Sequence, residues 1–230
     1  MTVRPADARY SGLFVAVAAT FVACLITANV ISAKLVDVAG FVLPAGIVIF
    51  PISYVIGDVL TEVYGYSAAR RVIWLGFGAN LLFVVAASIA GVLPAPGFWQ
   101  HQGAYDQILG QAPRILAASF LAFLVGEFVN SYVLAKMKIM TKGRWLWTRT
   151  IGSTVVGQAC DSAIFVTIAF AGKFPMSAIV GIIATQWIAK CLYETAATPL
   201  TYLVVNYLKR KEGVDTYDHG TRFNPFAVTT

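Results

Sequence analysis

Charged residues are scarce in this chain, at 12% of its 230 residues. Soluble domains carry about 25% charged residues because their surfaces face water. The scarcity therefore argues against a soluble domain. A hydrophobic content of 58% and a mean hydropathy of +0.73 indicate an integral membrane protein instead.

Sequence motifs of common enzymes are also missing. No GxxxxGKS/T phosphate loop occurs, so the chain has no evident ATPase of its own. No HExxH pair occurs, and His101 and His219 are isolated. Cys24, Cys160 and Cys191 form no CxxC pair, so we expect packing residues rather than a disulfide framework or a zinc site. We therefore predict a protein that is not an enzyme and that holds no metal or cofactor.

Long apolar runs dominate the chain. Crossing a hydrocarbon core of roughly 30 Å takes about 20 apolar residues. Six runs qualify, although the second is short and interrupted by Pro44, Pro51 and Gly57. They cover residues 11–33, 42–60, 71–93, 114–135, 150–171 and 177–208. The sequence predicts an all-α membrane protein with six transmembrane helices, forming one domain over 1–230 and ending in a polar, mobile or lightly packed tail over 212–230.

The net charge of +6 is unevenly distributed. If both termini are cytoplasmic, 13 of the 17 Lys and Arg residues fall on the cytoplasmic side. That asymmetry follows the positive-inside rule, so we predict cytoplasmic termini. The charge is interpreted as a topology signal, and no nucleic-acid partner is expected.

Polar side chains interrupt three of the predicted spans. They are Glu127 with Asn130, Gln158 with Asp161, and Gln186 with Lys190 and Glu194. Each set is spaced three or four residues apart, so its members share a helix face. A charge in the bilayer core costs roughly 2.5 kcal/mol or more, so such residues face a bundle interior or a cavity. Converging polar faces predict a binding site for a polar solute, and hence a transporter.

Two interpretations of the last set remain open. Lys190 and Glu194 either neutralise each other and hold helices together, or line a solute cavity with Trp187 and Tyr193 nearby for stacking. Two further amides within the spans, Asn29 and Asn80, are weaker candidates for the site, because amides alone commonly serve helix packing.

Asp58 and Glu62 lie one helical turn apart at the end of the second span, and Arg70 and Arg71 follow shortly after. One interpretation is a capped helix end with acid–arginine pairs across a tight turn at Gly65. The alternative is a gate that opens and closes by breaking and making those pairs.

The segment 50–66 reads FPISYVIGDVLTEVYGY and is followed by Ala69-Arg70. It closely resembles the queuosine-precursor transporter family, also called the vitamin uptake transporter family. Later motifs resemble that family as well: Gly126-Glu127 with Asn130-Ser131, Gly157-Gln158 with Asp161-Ser162, and Trp187 with Lys190 and Tyr193-Glu194.

The resemblance implies six helices and uptake of the 7-deazaguanine precursors preQ0 or preQ1 across the bacterial inner membrane, in service of tRNA modification. Such a base presents an N1–H and an exocyclic amine that one carboxylate can accept together. Its flat ring suits stacking on an aromatic side chain. Glu127 is the first candidate for that carboxylate, Asp161 the second and Glu194 the third.

The leading hypothesis is a stand-alone secondary transporter. The alternative is a substrate-binding membrane subunit that works with a separate ATP-driven module. An enzyme acting on lipid would need a nucleophile–base pair or a metal cluster, and the sequence offers neither. The expected partners are a small purine-like molecule and membrane lipid, together with a second copy of the chain, because six helices are few for enclosing a pathway.

Overall fold

The computed structural model describes residues 11–38, 41–110 and 113–227. The predicted cytoplasmic N-terminus before residue 11 and the tail end 228–230 lie outside those ranges. The helices are α1 Gly12–Ile31, α2 Phe50–Val59, α3 Tyr66–Val92, α4 Gln102–Leu109, α5 Pro113–Met140, α6 Leu146–Phe170 and α7 Met176–Glu212. Two short strands, β1 Leu35–Val38 and β2 Phe41–Pro44, pair antiparallel between α1 and α2.

Five helical runs among the described residues are long and apolar enough to cross a membrane. They are α1, α3, α6 and α7, together with α5, which is taken with α4 over Gln102–Met140 on either side of the undescribed residues 111 and 112. Helices suit hydrocarbon because they pair their own backbone N–H and C=O groups. The predicted helical membrane fold is therefore confirmed, and every predicted span except the second matches a helix to within five residues at each end.

The segment predicted as the second span, 42–60, is not one helix. After β2 it forms a 3₁₀ turn over Ala45–Val48, then α2, then one π-helical turn over Leu60–Tyr64. Proline is tolerated in the first turn of α2, where its missing N–H would have no helical partner. Gly65 ends the segment at a φ of +84°, where a Cβ would lie 2.7 Å from Thr216 Cγ2. Only glycine fits that position without displacing the chain.

The broken segment lies inside the bundle. Leu60 of the π turn packs with Phe21 of α1 and Val72 of α3 in one buried cluster. Val59 and Val63 pack with Val205 and Leu208 of α7 in another. Irregular helix at membrane depth is tolerated where protein surrounds it, and this packing provides that cover.

Helices α5 and α6 approach each other through two glycines. A Cβ on Gly126 would lie 2.8 Å from Asp161 Cβ, and one on Gly157 would lie 2.8 Å from Asn130 Cβ. Small residues of this kind let helix backbones pack closely in membranes. The contact places the polar face of α5 directly against that of α6.

The tail that follows α7 is mostly exposed through residue 227, and three of its residues contact the start of α3. Asp218 is buried, and its Oδ2 accepts a 3.0 Å hydrogen bond from the backbone N–H of Tyr66. Arg70 Nη1 donates to the carbonyls of Arg222 and Asn224, at 3.0 and 2.9 Å. Residues 213–227 therefore form a strap across the start of α3, and we call this segment the C-terminal strap.

Candidate functional site

Four acidic side chains from four helices form one group near the middle of the bundle. We call Asp58, Glu127, Asp161 and Glu194 the acid cluster. Glu194 lies 18 residues from each end of α7, or about 27 Å of helix on either side. Tyr54 of α2 lies within the fields of the Asp161, Glu127 and Glu194 charges. The three polar helix faces predicted from spacing therefore do converge, and the broken α2 supplies a fourth.

Lys190 pairs with Asp161 of α6, since its Nζ donates to Asp161 Oδ2. Both side chains are part-exposed, at 23% and 19%. The predicted alternative of a Lys190–Glu194 pair along α7 is thus replaced by a pair between helices. In this part of the described chain, the four acids therefore lie near one basic side chain, that of Lys190.

Glu127 projects from α5 toward α2. A Cβ on Gly57 would lie 3.3 Å from Glu127 Oε2, so the missing side chain leaves the carboxyl its space. The Glu127 side chain is half-buried, and Asp161, Glu194 and Lys190 lie nearby. A carboxyl group that is partly accessible and next to a glycine has room to accept hydrogen bonds from a solute.

Asp58 and Glu194 lie side by side and are almost completely buried. Asn130 Nδ2 donates a 3.0 Å hydrogen bond to Asp58 Oδ1. Asp58 Oδ2 and both Glu194 oxygens have no hydrogen-bond partner among the described residues. Asn130 Oδ1, Gln158 Oε1 and Ser162 Oγ are buried and unpartnered as well. Buried polar atoms normally have partners, so this concentration of free acceptors marks a place for a ligand or water.

The remaining predicted residues of α7 lie beside this group. Trp187 Nε1 donates to the Val155 carbonyl of α6 at 2.9 Å, so its indole serves helix packing. Gln186 and Tyr193 are half-buried on the same helix.

Asn29 and Asn80 line a separate cavity of about 20 Å³ between α1, α3, α4 and α5. Asn80 Oδ1 is buried there without a partner in the described chain. The cavity has the size of a single water molecule. These two amides are therefore apart from the acid cluster.

A second charged group surrounds Glu62 in the middle of the π turn, and we call it the Glu62 cluster. Arg149 donates to both carboxylate oxygens, Nε to Oε2 and Nη2 to Oε1, each at 2.7 Å. Lys209 Nζ donates to Oε1 at 2.6 Å, and Lys138 Nζ lies 3.6 Å from the same oxygen. Lys138 and Lys209 also pair with Asp215, at 2.6 and 2.9 Å.

The acid–arginine pairs expected across Gly65 are replaced by other contacts. Glu62 takes its cations from α5, α6 and α7, and Arg70 donates to the C-terminal strap. Arg71 is exposed on α3. Of the four predicted gating residues, Asp58 belongs to the acid cluster, Glu62 to the second cluster, and Arg70 to the strap.

Sequence reasoning missed Tyr54, Gly57 and the cations of the Glu62 cluster. Lys138, Arg149 and Lys209 were interpreted as topology signals alone, because nothing in their local sequence points to an acid 76 to 147 residues away. Tyr54 and Gly57 carried a signal, since both lie in the motif segment 50–66.

The family model described as "Putative vitamin uptake transporter" matches residues 44–204, which include both clusters except Lys209 and Asp215. The chain belongs to this family. A vitamin uptake transporter is a multi-pass membrane protein, in agreement with the five long helices.

Two curated proteins are similar to this family member. "Probable queuosine precursor transporter" of Bacillus subtilis (strain 168) is 31% identical over 191 residues, covering 81% of this chain and 82% of that protein. "Queuosine precursor transporter" of Escherichia coli (strain K12) is 28% identical over 135 residues, covering 59% of this chain and 58% of that protein. No solved structure matches.

Proposed function

We propose that the chain imports queuosine precursors, the 7-deazaguanines preQ0 and preQ1, across the bacterial inner membrane as a stand-alone secondary transporter. The observation that carries the proposal is the acid cluster, where four carboxyl groups and one lysine lie together near the middle of the bundle. The names of the two relatives point to the same substrate class.

Glu127 is the carboxylate that reads the base in this proposal. Asp161 is occupied by Lys190, and Glu194 is fully buried, whereas Glu127 is half-buried beside the space left by Gly57. An ionised carboxylate accepts from the N1–H and the exocyclic amine together, as it does from an arginine fork. Tyr54 replaces Trp187 as the stacking residue, because the Trp187 indole is already used in packing against α6.

The broken segment forms the sixth crossing in this proposal, which puts both termini in the cytoplasm. Four residues of 3₁₀ helix and 15 of α and π helix rise together by about 30 Å, the thickness of the hydrocarbon core. A reporter fused after Arg222 is expected to be active only in the cytoplasm. Activity of that fusion in the periplasm contradicts the topology.

The Glu62 cluster acts as the cytoplasmic gate, with partners other than the ones predicted. It joins the π turn to α5, α6 and α7 at one end of the bundle, so parting those helices requires breaking its ion pairs. Lys209→Gln is expected to speed preQ1 exchange across the membrane by weakening that closure. Arg210→Gln is the matched control, since Arg210 is exposed and next in the chain. Equal exchange rates in the two variants contradict the gate.

Uptake of radiolabelled preQ1 and preQ0 by cells unable to make either compound tests the function. We expect accumulation that depends on expression of this chain and is competed by unlabelled preQ1. Purified protein in liposomes then separates the two modes of transport. Uptake with no other protein present supports a stand-alone transporter, whereas uptake only in cells with an ATP-driven module supports the subunit alternative.

A further inference from the structure

Asp58 of α2 and Glu194 of α7 form a buried pair of acids inside the bundle. Their exposed fractions are 1% and 0%, and their carboxyl groups lie side by side. Each group sits on a different helix, so the pair exists only while α2 and α7 stay packed together. Carboxyl groups that share a buried site cannot both be ionised at low cost, because like charges repel strongly where water is excluded.

The pair has few hydrogen-bond donors. Asn130 Nδ2 provides one to Asp58, while Asp58 Oδ2 and both Glu194 oxygens have none among the described residues. Asn130 is only 8% exposed, and its amide oxygen Oδ1 is buried without a partner among the described residues. Three carboxyl oxygens and an amide oxygen without a donor define a site that lacks a positive ligand.

Within the described part of the chain, the cation nearest to this role is already paired. The titratable groups that act on the pair and its neighbours are Tyr54 and Glu62 from the broken segment, Glu127 from α5, Asp161 from α6, and Lys190 and Cys191 from α7. Helix α1, which packs on α2, contains no charged residue. Lys190 is the one cation of this set, and Asp161 already pairs with it.

The missing ligand is a proton rather than a metal ion. The described residues contain no group of three or more His, Cys, Asp and Glu side chains placed to hold a metal ion. One proton, in contrast, is held between two adjacent carboxyl oxygens and leaves the pair with a single negative charge.

We propose that the Asp58–Glu194 pair is the proton site that couples substrate uptake to the proton gradient, with one proton carried per substrate molecule. This proposal rests on the transport function above. The pair takes its proton in the state that is open to the outer solution, and the same state binds substrate beside Glu127. It releases that proton to the cytoplasm together with the substrate, in the state where water reaches the two carboxylates.

Purified full-length protein in liposomes provides the test, with labelled preQ1 inside and outside measured over time. With the exterior about one pH unit more acidic than the interior, we expect preQ1 inside the liposomes to reach up to about ten times its outside concentration. One proton carried per substrate molecule lets a tenfold proton gradient support a tenfold preQ1 gradient. An uncoupler that collapses the pH difference should abolish the accumulation. Equal uptake with and without the pH difference overturns the coupling and leaves transport intact, whereas no uptake under any condition overturns the proposed function itself.

Two variants test whether this pair carries the coupled proton. In Asp58→Asn and Glu194→Gln, the ratio of uptake with the gradient to uptake without it should fall to about 1, whatever the residual rate. Asp106→Asn is the control, because Asp106 of α4 is exposed and accepts only a local hydrogen bond from Gln102 in the described structure. An unchanged ratio in both pair variants shows that another group carries the proton.

An infrared measurement on the unmodified protein tests the proposal even if the variants fail to insert into the membrane. The infrared C=O stretch of a protonated carboxylic acid should be present at neutral pH in the purified transporter, and its intensity should change when preQ1 is added. Absence of that band contradicts a proton held by the pair.

Discussion

Asp58 and Glu62 lie one helical turn apart and are equally buried, yet their surroundings are opposite. Glu62 is held by an arginine and two lysines through contacts of 2.6 to 3.6 Å. Asp58 receives one amide hydrogen bond and lies beside another acid. Burial of a charge therefore does not by itself indicate function in this protein. The number of partners separates the acid that holds helices together from the acid that is available for a ligand.

Glu62→Gln gives the largest expected effect on stability. Removing one partner from a buried ion pair costs about 3–5 kcal/mol, because Arg149 and Lys138 keep charges that the bundle cannot hydrate. The variant should unfold at a clearly lower temperature in detergent, or fail to reach the membrane.

Asp58→Asn is the matched comparison, with an equally conservative change one turn away. It removes a charge that has no cation, so its unfolding temperature should equal or exceed that of the wild type. Equal losses of stability in the two variants would remove the distinction between the clusters.

Glu127→Gln gives the largest expected effect on binding. The amide turns one acceptor into a donor that faces a donor of the base, which costs about 1–3 kcal/mol, or roughly 5- to 150-fold in preQ1 affinity. Calorimetry on purified protein measures the loss. Asp161→Asn should lose less affinity, because the Asp161 carboxylate is occupied by Lys190. The reverse order makes Asp161 the base-reading group.

Gly57→Ala should weaken preQ1 binding by up to about tenfold without unfolding the protein. The new methyl group would lie 3.3 Å from Glu127 Oε2 and 3.9 Å from the Phe21 ring, which is tight enough to displace the carboxyl. Overpacking of this size costs about 1 kcal/mol. Gly78→Ala in α3 is the control, because a Cβ there meets nothing within 4 Å in the described structure. Equal affinities would mean that Glu127 does not need the space at Gly57.

Asp215→Asn gives the smallest expected effect and a defined pH dependence. Partial burial tends to raise the pKa of the Asp215 carboxyl, but hydrogen bonds from Lys138 and Lys209 outweigh it and lower that pKa. A lowered pKa in the folded state stabilises the fold at pH values above the ordinary aspartate pKa near 4, and the contribution disappears as the pH falls through the folded value. The stability difference between wild type and variant should therefore be present at neutral pH and absent in acid. A constant difference across that range contradicts the pairing.

The sequence predicted most of the acid cluster because its members obey helical spacing. Glu127, Asp161, Lys190 and Glu194 stand out in apolar runs. Each is three or four residues from another polar side chain of its own helix, so the two share a face of that helix. The broken second span was less accessible, since Pro44, Pro51 and Gly57 indicate interruption without specifying a hairpin or a π turn. The Glu62 cluster depends on helix packing between residues far apart in the chain, and no local pattern encodes it.

The C-terminal strap follows α7 in the chain, yet it completes the first turn of α3, which lies about 150 residues earlier. Until Asp218 reaches the Tyr66 N–H and the carbonyls of Arg222 and Asn224 reach Arg70, that part of the protein lacks its partners. That end of the bundle is therefore completed only after α7 and the strap have been synthesised. Chains cut before the strap, or carrying a tag in its place, would present quality-control proteases with an unfinished surface at the start of α3.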